Sequence, residues 1–185
     1  MNLPRPLQDK TILVVGAAGR IGRVTVDAVL AAGGRVVALD TDDRGLQALA
    51  ALHNDTIDYA TVDVSDRSSI ESALARADGR FGGVDGAVNT AYPRNARYGR
   101  HFFEVEFADF CENTSLHMGG YFLFMQSCAR YALEQSRPFS VVNLSSIYGS
   151  MAPRFDVYAG TAMTMPGGYA AIKAGLEHMT RYINA

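Results

Sequence analysis

Long apolar runs, clustered cysteines and an excess of one charge are all missing from this sequence of 185 residues. No stretch stays apolar long enough to span a bilayer as a helix, so no membrane partner is expected. The opening residues, MNLPRPLQDK, lack the apolar centre of a secretory signal peptide. The two cysteines, Cys111 and Cys128, follow no metal or redox spacing. Reduced thiols in a cytoplasmic protein without a metal site are therefore expected. Lys and Arg number 17 against 19 Asp and Glu, a net charge of −2, which gives no electrostatic reason to expect nucleic acid as a partner. No repeat, low-complexity tract or linker divides the chain. A hydrophobic share of 48% and a charged share of 19% are those of an ordinary globular domain with a full core.

What is present is an alternation. Short apolar runs at Thr11–Val15, Arg35–Leu39, Ile57–Val62, Val84–Val88 and Ser140–Leu144 read as strands. Between them lie helical patterns at Arg20–Ala32, Arg44–His53, Ser68–Ala77 and Phe107–Gln135, and Tyr169–Ile183 follows the last strand. An Arg-, Gly- and Tyr-rich loop runs from Thr90 to about Gly99. Continuous apolar strands that alternate with helices predict an α/β fold, a doubly wound parallel sheet with helices on both faces.

The first strand runs into Gly16-Ala17-Ala18-Gly19-Arg20-Ile21-Gly22, which opens the first helix. Gly16 permits the tight turn, Gly19 lets backbone approach a pyrophosphate, and Gly22 allows close helix packing. The helix N-terminus then presents unpaired amides to the phosphates. Asp40 ends the second strand, 24 residues after Gly16. A carboxylate there accepts bonds from ribose hydroxyls and repels a 2′-phosphate, so NAD is expected over NADP. Asp42 and Asp43 add to that preference, while Arg20 and Arg23 act against it. Asp63-Val64 after the third strand is placed to meet the adenine, and Asn89-Thr90-Ala91 after the fourth to line the cofactor's other side.

The fifth strand leads into Asn143-Leu144-Ser145-Ser146-Ile147-Tyr148-Gly149, and Tyr169-Ala170-Ala171-Ile172-Lys173 opens the last helix. Tyr and Lys four apart share a helical face. A neighbouring ammonium favours phenolate over phenol, which suits a tyrosine to proton transfer.

In this order the glycine loop, Asp40, Asp63-Val64, Asn89-Thr90-Ala91, Ser-Ser-x-x-Gly and YxxxK resemble the short-chain dehydrogenase/reductase family along essentially the whole chain. The resemblance implies a Rossmann fold and an NAD(P)-dependent oxidoreductase acting on a small-molecule secondary alcohol or ketone. It implies Tyr169 as general acid/base and Lys173 as the residue that tunes it and binds the nicotinamide ribose. Ser146 would orient the substrate oxygen, with Ser145 the lesser alternative. It also implies assembly as a homodimer or homotetramer, for which Phe122, Phe124, Met125, Leu176 and Met179 fit an interface as well as they fit internal burial.

Within that family the signature is mixed. Spacing of the glycines as GxxGxxG, and the 23 residues from Ser146 to Tyr169, resemble an extended branch that acts on nucleotide sugars. Asn89-Thr90-Ala91 resembles the compact branch. The combination is similar to members of bacterial surface-sugar and flagellin-glycan pathways, so a sugar derivative is an expected substrate. Two alternatives stand beside this: an epimerase or dehydratase that retains NAD, and a non-catalytic dinucleotide-binding protein. The loop Ser150–Gly168 reads as a substrate wall in which Arg154 meets an anionic group or is merely solvated. His117, with Asn113 one turn earlier, takes the place of a family asparagine, as a proton relay or as a packed histidine. Since family members continue through further strands, residues 1–185 are expected to be one dinucleotide-binding and catalytic domain, C-terminally incomplete.

Overall fold

Five apolar runs form five parallel strands, β1 (Thr11–Val15), β2 (Arg35–Asp40), β3 (Ile57–Thr61), β4 (Gly86–Asn89) and β5 (Ser140–Asn143). Their spatial order is β3-β2-β1-β4-β5. The structure, a computed structural model, describes residues 5–185; the first part of the N-terminal stretch, residues 1–4, lies outside the described residues. The helices are α1 (Arg20–Ala31), α2 (Asp43–Ala50), α3 (Arg67–Phe81), α4 (Phe107–Thr114), α5 (Gly120–Gln135) and α6 (Gly167–Ile183). Two compact units result. The first holds the chain up to Ala91 together with Leu123–Leu144, and the second holds Tyr92–Phe122 and Ser145–Ala185.

All five strands belong to the first unit. Val14 of β1 lies beside Ala38 of β2 on one side and Val88 of β4 on the other. Chain order therefore reverses at β1, and the carboxyl ends of β1 and β4 open the crevice where parallel sheets of this kind bind ligands. Alternate side chains reach opposite faces. Val14, Val36 and Ala38 pack on one face with Val26 of α1 and Leu46 of α2. Leu13, Val15 and Val37 pack on the other with Ile70 of α3 and Phe124 of α5. Covering both faces is what makes the strands read as unbroken apolar runs. Leu13 is fully buried in the second of these layers. Leu13→Ala is therefore expected to lower stability by about 2–5 kcal/mol, read in urea unfolding as a lower midpoint at unchanged slope. A loss below about 1 kcal/mol would contradict the packing described.

Most elements fall within two or three residues of the sequence expectation, and two differ more. α3 continues to Phe81 instead of closing near Ala77, because Phe81 packs on the core layer and the stop falls at Gly82. The long helix expected over Phe107–Gln135 is interrupted by a π-helical turn, Ser115–Gly119, between α4 and α5. Phe124, Met125 and Leu176 are buried within the chain, which removes them from any subunit interface; Phe122 stays exposed. In the second unit Tyr121, Ile172 and Leu176 form a small core that joins α6 to the turn's Met118. Among the described residues no helix is long and apolar enough to cross a membrane.

Candidate active site

The glycine loop of the first unit is held by its own backbone. Gly16 has φ +75°, and a Cβ there would lie 2.7 Å from Thr90 Oγ1 and 2.9 Å from the Ala91 nitrogen. A Cβ on Gly22 would lie 2.0 Å from the Gly16 carbonyl oxygen, so only glycine lets α1 sit this close to the loop. The amides of Gly16 and Ala17 donate to the Leu39 carbonyl at 2.8 and 3.0 Å, and that of Gly19 donates to the Gly16 carbonyl at 3.0 Å. The Ala18 amide donates to Asp40 Oδ2 at 2.9 Å. Four loop amides are thus engaged. Gly19 caps α1 with no side-chain bond, and the amides of Arg20, Ile21 and Gly22, the first of the helix, have no helical carbonyl one turn back. These three donors and the positive helix end fit a pyrophosphate.

Asp40 both steadies the loop through Ala18 and accepts from the Asp42 amide at 3.1 Å. Arg23 Nε donates to the Ala18 carbonyl at 2.9 Å, so Arg23 braces the loop. Asp63 Oδ1 accepts from the Ser65 amide and hydroxyl at 2.8 and 2.7 Å. The Val64 side chain is buried in the core, which leaves only its backbone to face a ligand. Asn89 is fully buried, and its Oδ1 accepts from the Ala91 amide at 3.1 Å. Thr90 Oγ1 donates to the Val15 carbonyl at 2.7 Å. The Asn89-Thr90-Ala91 turn therefore holds the glycine loop from beneath.

The second unit gathers the titratable residues. Lys173 is only 4% exposed, with Nζ 3.4 Å from Nε2 of His117, itself 1% exposed. The same Nζ lies 5.7 Å from the centre of the Tyr169 ring and 5.4 Å from that of Tyr121. Burial pulls the Lys173 ammonium down to about 8. His117 is pushed down to about 3, first by burial and then by the charges of Lys173 and Arg94, so it is neutral near neutral pH. A neutral imidazole whose Nε2 accepts from Lys173 carries its proton on Nδ1. Tyr92 stands at the centre of this group, its ring edge-on to Tyr169 at 5.7 Å and to His117 at 5.0 Å.

Of the two serines, Ser145 Oγ donates to the Lys173 carbonyl at 3.1 Å and lies 3.1 Å from Glu177 Oε1. It ties the chain after β5 to α6. Ser146 Oγ accepts from the Tyr148 amide at 3.2 Å and keeps its proton for another acceptor. Gly149 completes the motif by close approach, since a Cβ there would meet the backbone of Lys173 at 2.9 Å. His117 faces Lys173, whereas Asn113 bonds reciprocally with Asn95 at 2.9 and 3.1 Å. Arg154 is bound by Asp156 within its own loop, at 2.6 Å, which answers its charge locally. Sequence reasoning passed over Tyr92 and Arg94; their only signal was a loop unusually rich in Arg and Tyr directly after β4.

The chain as a whole is similar to known proteins. The family model for short chain dehydrogenases matches residues 10–185. The post-translational flagellin modification protein A of Campylobacter coli is 31% identical over 182 residues, which cover 96% of this chain and 71% of that protein. The 2,5-dichloro-2,5-cyclohexadiene-1,4-diol dehydrogenase of Sphingobium indicum is 30% identical over 162 residues, covering 87% of this chain and 64% of that protein. The chain thus spans less than the full length of both relatives, and under two thirds of the second. In fold it is similar to a short-chain type dehydrogenase/reductase from Mycobacterium marinum, with a TM-score of 0.83 at 21% identity, covering 97% of this chain and 69% of that one.

Proposed function

Because this chain belongs to the short-chain dehydrogenase family, we propose that it interconverts a secondary alcohol and a ketone on a polar, sugar-like substrate, with NAD as cofactor. The observation that carries this reading is Lys173, buried between the ring of Tyr169 and the neutral His117. A buried ammonium beside a phenol is costly for structure alone and serves proton transfer.

The cofactor fits residues already in place. Gly16 and Gly22 keep the loop clear of side chains, the amides of Arg20, Ile21 and Gly22 bind the pyrophosphate, and Asp40 accepts from the adenosine ribose. Ile21, 58% exposed at the helix start, offers an apolar contact beside those amides. Bound nicotinamide supplies the hydride acceptor or donor. Ser146 Oγ donates to the substrate oxygen and fixes its position. Tyr169 Oη takes the proton from that oxygen during oxidation and returns it during reduction. Lys173 donates to the nicotinamide ribose and holds a positive charge next to the phenol. His117 accepts from Lys173 Nζ and keeps the ammonium aimed. A sugar-like substrate is supported by the mixed glycine and tyrosine spacing and by one relative named for flagellin modification. A second relative, named for dehydrogenation of a cyclic diol, supports a hydroxyl-bearing ring.

The test is NADH formation across a panel of sugars, polyols and cyclic diols, together with Asp40→Asn. The asparagine oxygen keeps the bond to Ala18 and removes the charge. The variant is expected to lose about tenfold or more of the preference for NAD over NADP, the scale of one charged hydrogen bond. An unchanged ratio would take Asp40 out of ribose recognition. NAD that co-purifies and is never released as NADH would replace this reading with an epimerase or dehydratase that retains its cofactor.

A further inference from the structure

Among the arginines of the second unit, Arg97 is engaged by Asp109 at 2.8 Å and Arg154 by Asp156 at 2.6 Å. Arg94 is different. Among the described residues no carboxylate pairs with it; its guanidinium lies over the ring of Tyr92, 4.8 Å from the centre, and Nη1 donates to the Tyr92 carbonyl at 3.3 Å. The residue after it is firmly anchored. Asn95 exchanges two bonds with the buried Asn113, and its Nδ2 donates to the buried Asp109 at 3.0 Å. A charged side chain is thereby held out to solvent from a fixed base, with an aromatic ring against its guanidinium. Since the Tyr92 ring meets Tyr169 edge-on at 5.7 Å, the guanidinium is no farther from Tyr169 than those two spacings together.

The surrounding acids do not answer this charge. On α4, Asp109 serves Arg97 and Asn95, and Glu112 accepts from Asn95 at 2.6 Å. On α6, Glu177 lies against Ser145. The positive potential reaches inward, where Arg94 adds to the forces that keep His117 neutral.

We infer that Arg94 recognises an anionic group on the substrate, so that the hydroxy or keto compound carries a carboxylate or a phosphate. This rests on the oxidoreductase reading and narrows its substrate class. A planar guanidinium presents paired N–H donors that match two oxygens of either group. Contact with the Tyr92 ring and the bond to the Tyr92 carbonyl reduce the rotamer freedom that binding would otherwise cost. Arg154, the other candidate for this task, is already occupied by Asp156.

The experiment titrates protein labelled with ¹⁵N-arginine with glucose, glucuronate and glucose 1-phosphate at constant ionic strength. The Arg94 Nε–H signal, assigned through Arg94→Met, is expected to move saturably with at least one anionic compound and to stay put with glucose. The tighter of the two distinguishes a carboxylate from a phosphate site. In Arg94→Lys, which keeps the charge and loses the paired donors, affinity for that anion, followed through the neighbouring Tyr92 ring signals, is expected to drop about tenfold. An Arg94 signal unmoved by both anions, or moved equally by glucose, overturns the inference. Because this binding is read without turnover, it fails separately from the oxidoreductase reading, which falls only if no panel compound yields NADH.

Discussion

Tyr169→Phe is expected to lower turnover by about 10²–10⁴-fold, the usual contribution of a positioned acid–base group. The substitution removes one oxygen and little else. The ring still meets Tyr92 edge-on at 5.7 Å, and Lys173 still lies 5.7 Å from its centre, so fold and cofactor affinity should be kept. Steady-state rates of NADH formation test the first part, and NAD titration followed by calorimetry tests the second. A variant with turnover within threefold of the parent would remove Tyr169 from proton transfer. A variant that also loses NAD affinity would show that its hydroxyl holds the cofactor.

The second large effect has opposite signs on stability and activity. Lys173 is 4% exposed, and burial lowers its ammonium from 10.5 to about 8. Between those values the unfolded chain binds a proton that the folded chain does not, so stability rises with pH across that window. Below about 8 the folded protein carries a buried charge that opposes folding by about 3 kcal/mol. Lys173→Met keeps the length of the stem and removes the charge. It also gives up the ammonium–ring contacts and the contact with His117, so the gain at pH 7 is expected to be smaller than that figure. Turnover should fall by about 10²-fold or more, since charge beside the phenol is lost. Urea unfolding at pH 7 and pH 10 gives the check: the advantage of the methionine variant should shrink at the higher pH. A variant less stable than the parent at both values would show that Lys173 is not a burden on the fold.

Much of this was written in local patterns. Gly16, Gly19 and Gly22 between a strand and a helix, Asp40 at a strand end, and Tyr169 with Lys173 at helical spacing each announce their neighbours within a few residues. The alternation of apolar runs marked all five strands, most clearly β1 and β2, where burial on both faces leaves apolar side chains on both sides. What stayed hidden depends on contacts far apart in sequence. Nothing local tells that His117 meets Lys173 or that Asn113 clamps Asn95 while its neighbour one turn on does not. Arg94 and Arg154 look alike as loop arginines; only the fold shows that one is answered by Asp156 and the other rests on Tyr92. Asn89 and Val64 occupy positions that suit a ligand, yet their side chains turn inward to hold the loop and the core.

The π-helical turn at Ser115–Gly119 has a consequence for how this segment tolerates change. Asp109, Asn113, His117 and Tyr121 are all buried and recur at intervals of four. In an unbroken α-helix each such interval advances by about 40° around the axis, so the four would wind off a single face. The wider turn cancels that drift midway and returns His117 and Tyr121 to the line begun by Asp109 and Asn113. Deleting one residue here would yield a more regular helix and swing one half by about 100° relative to the other. Length, more than the identity of any single side chain, is the property that this stretch of chain must conserve.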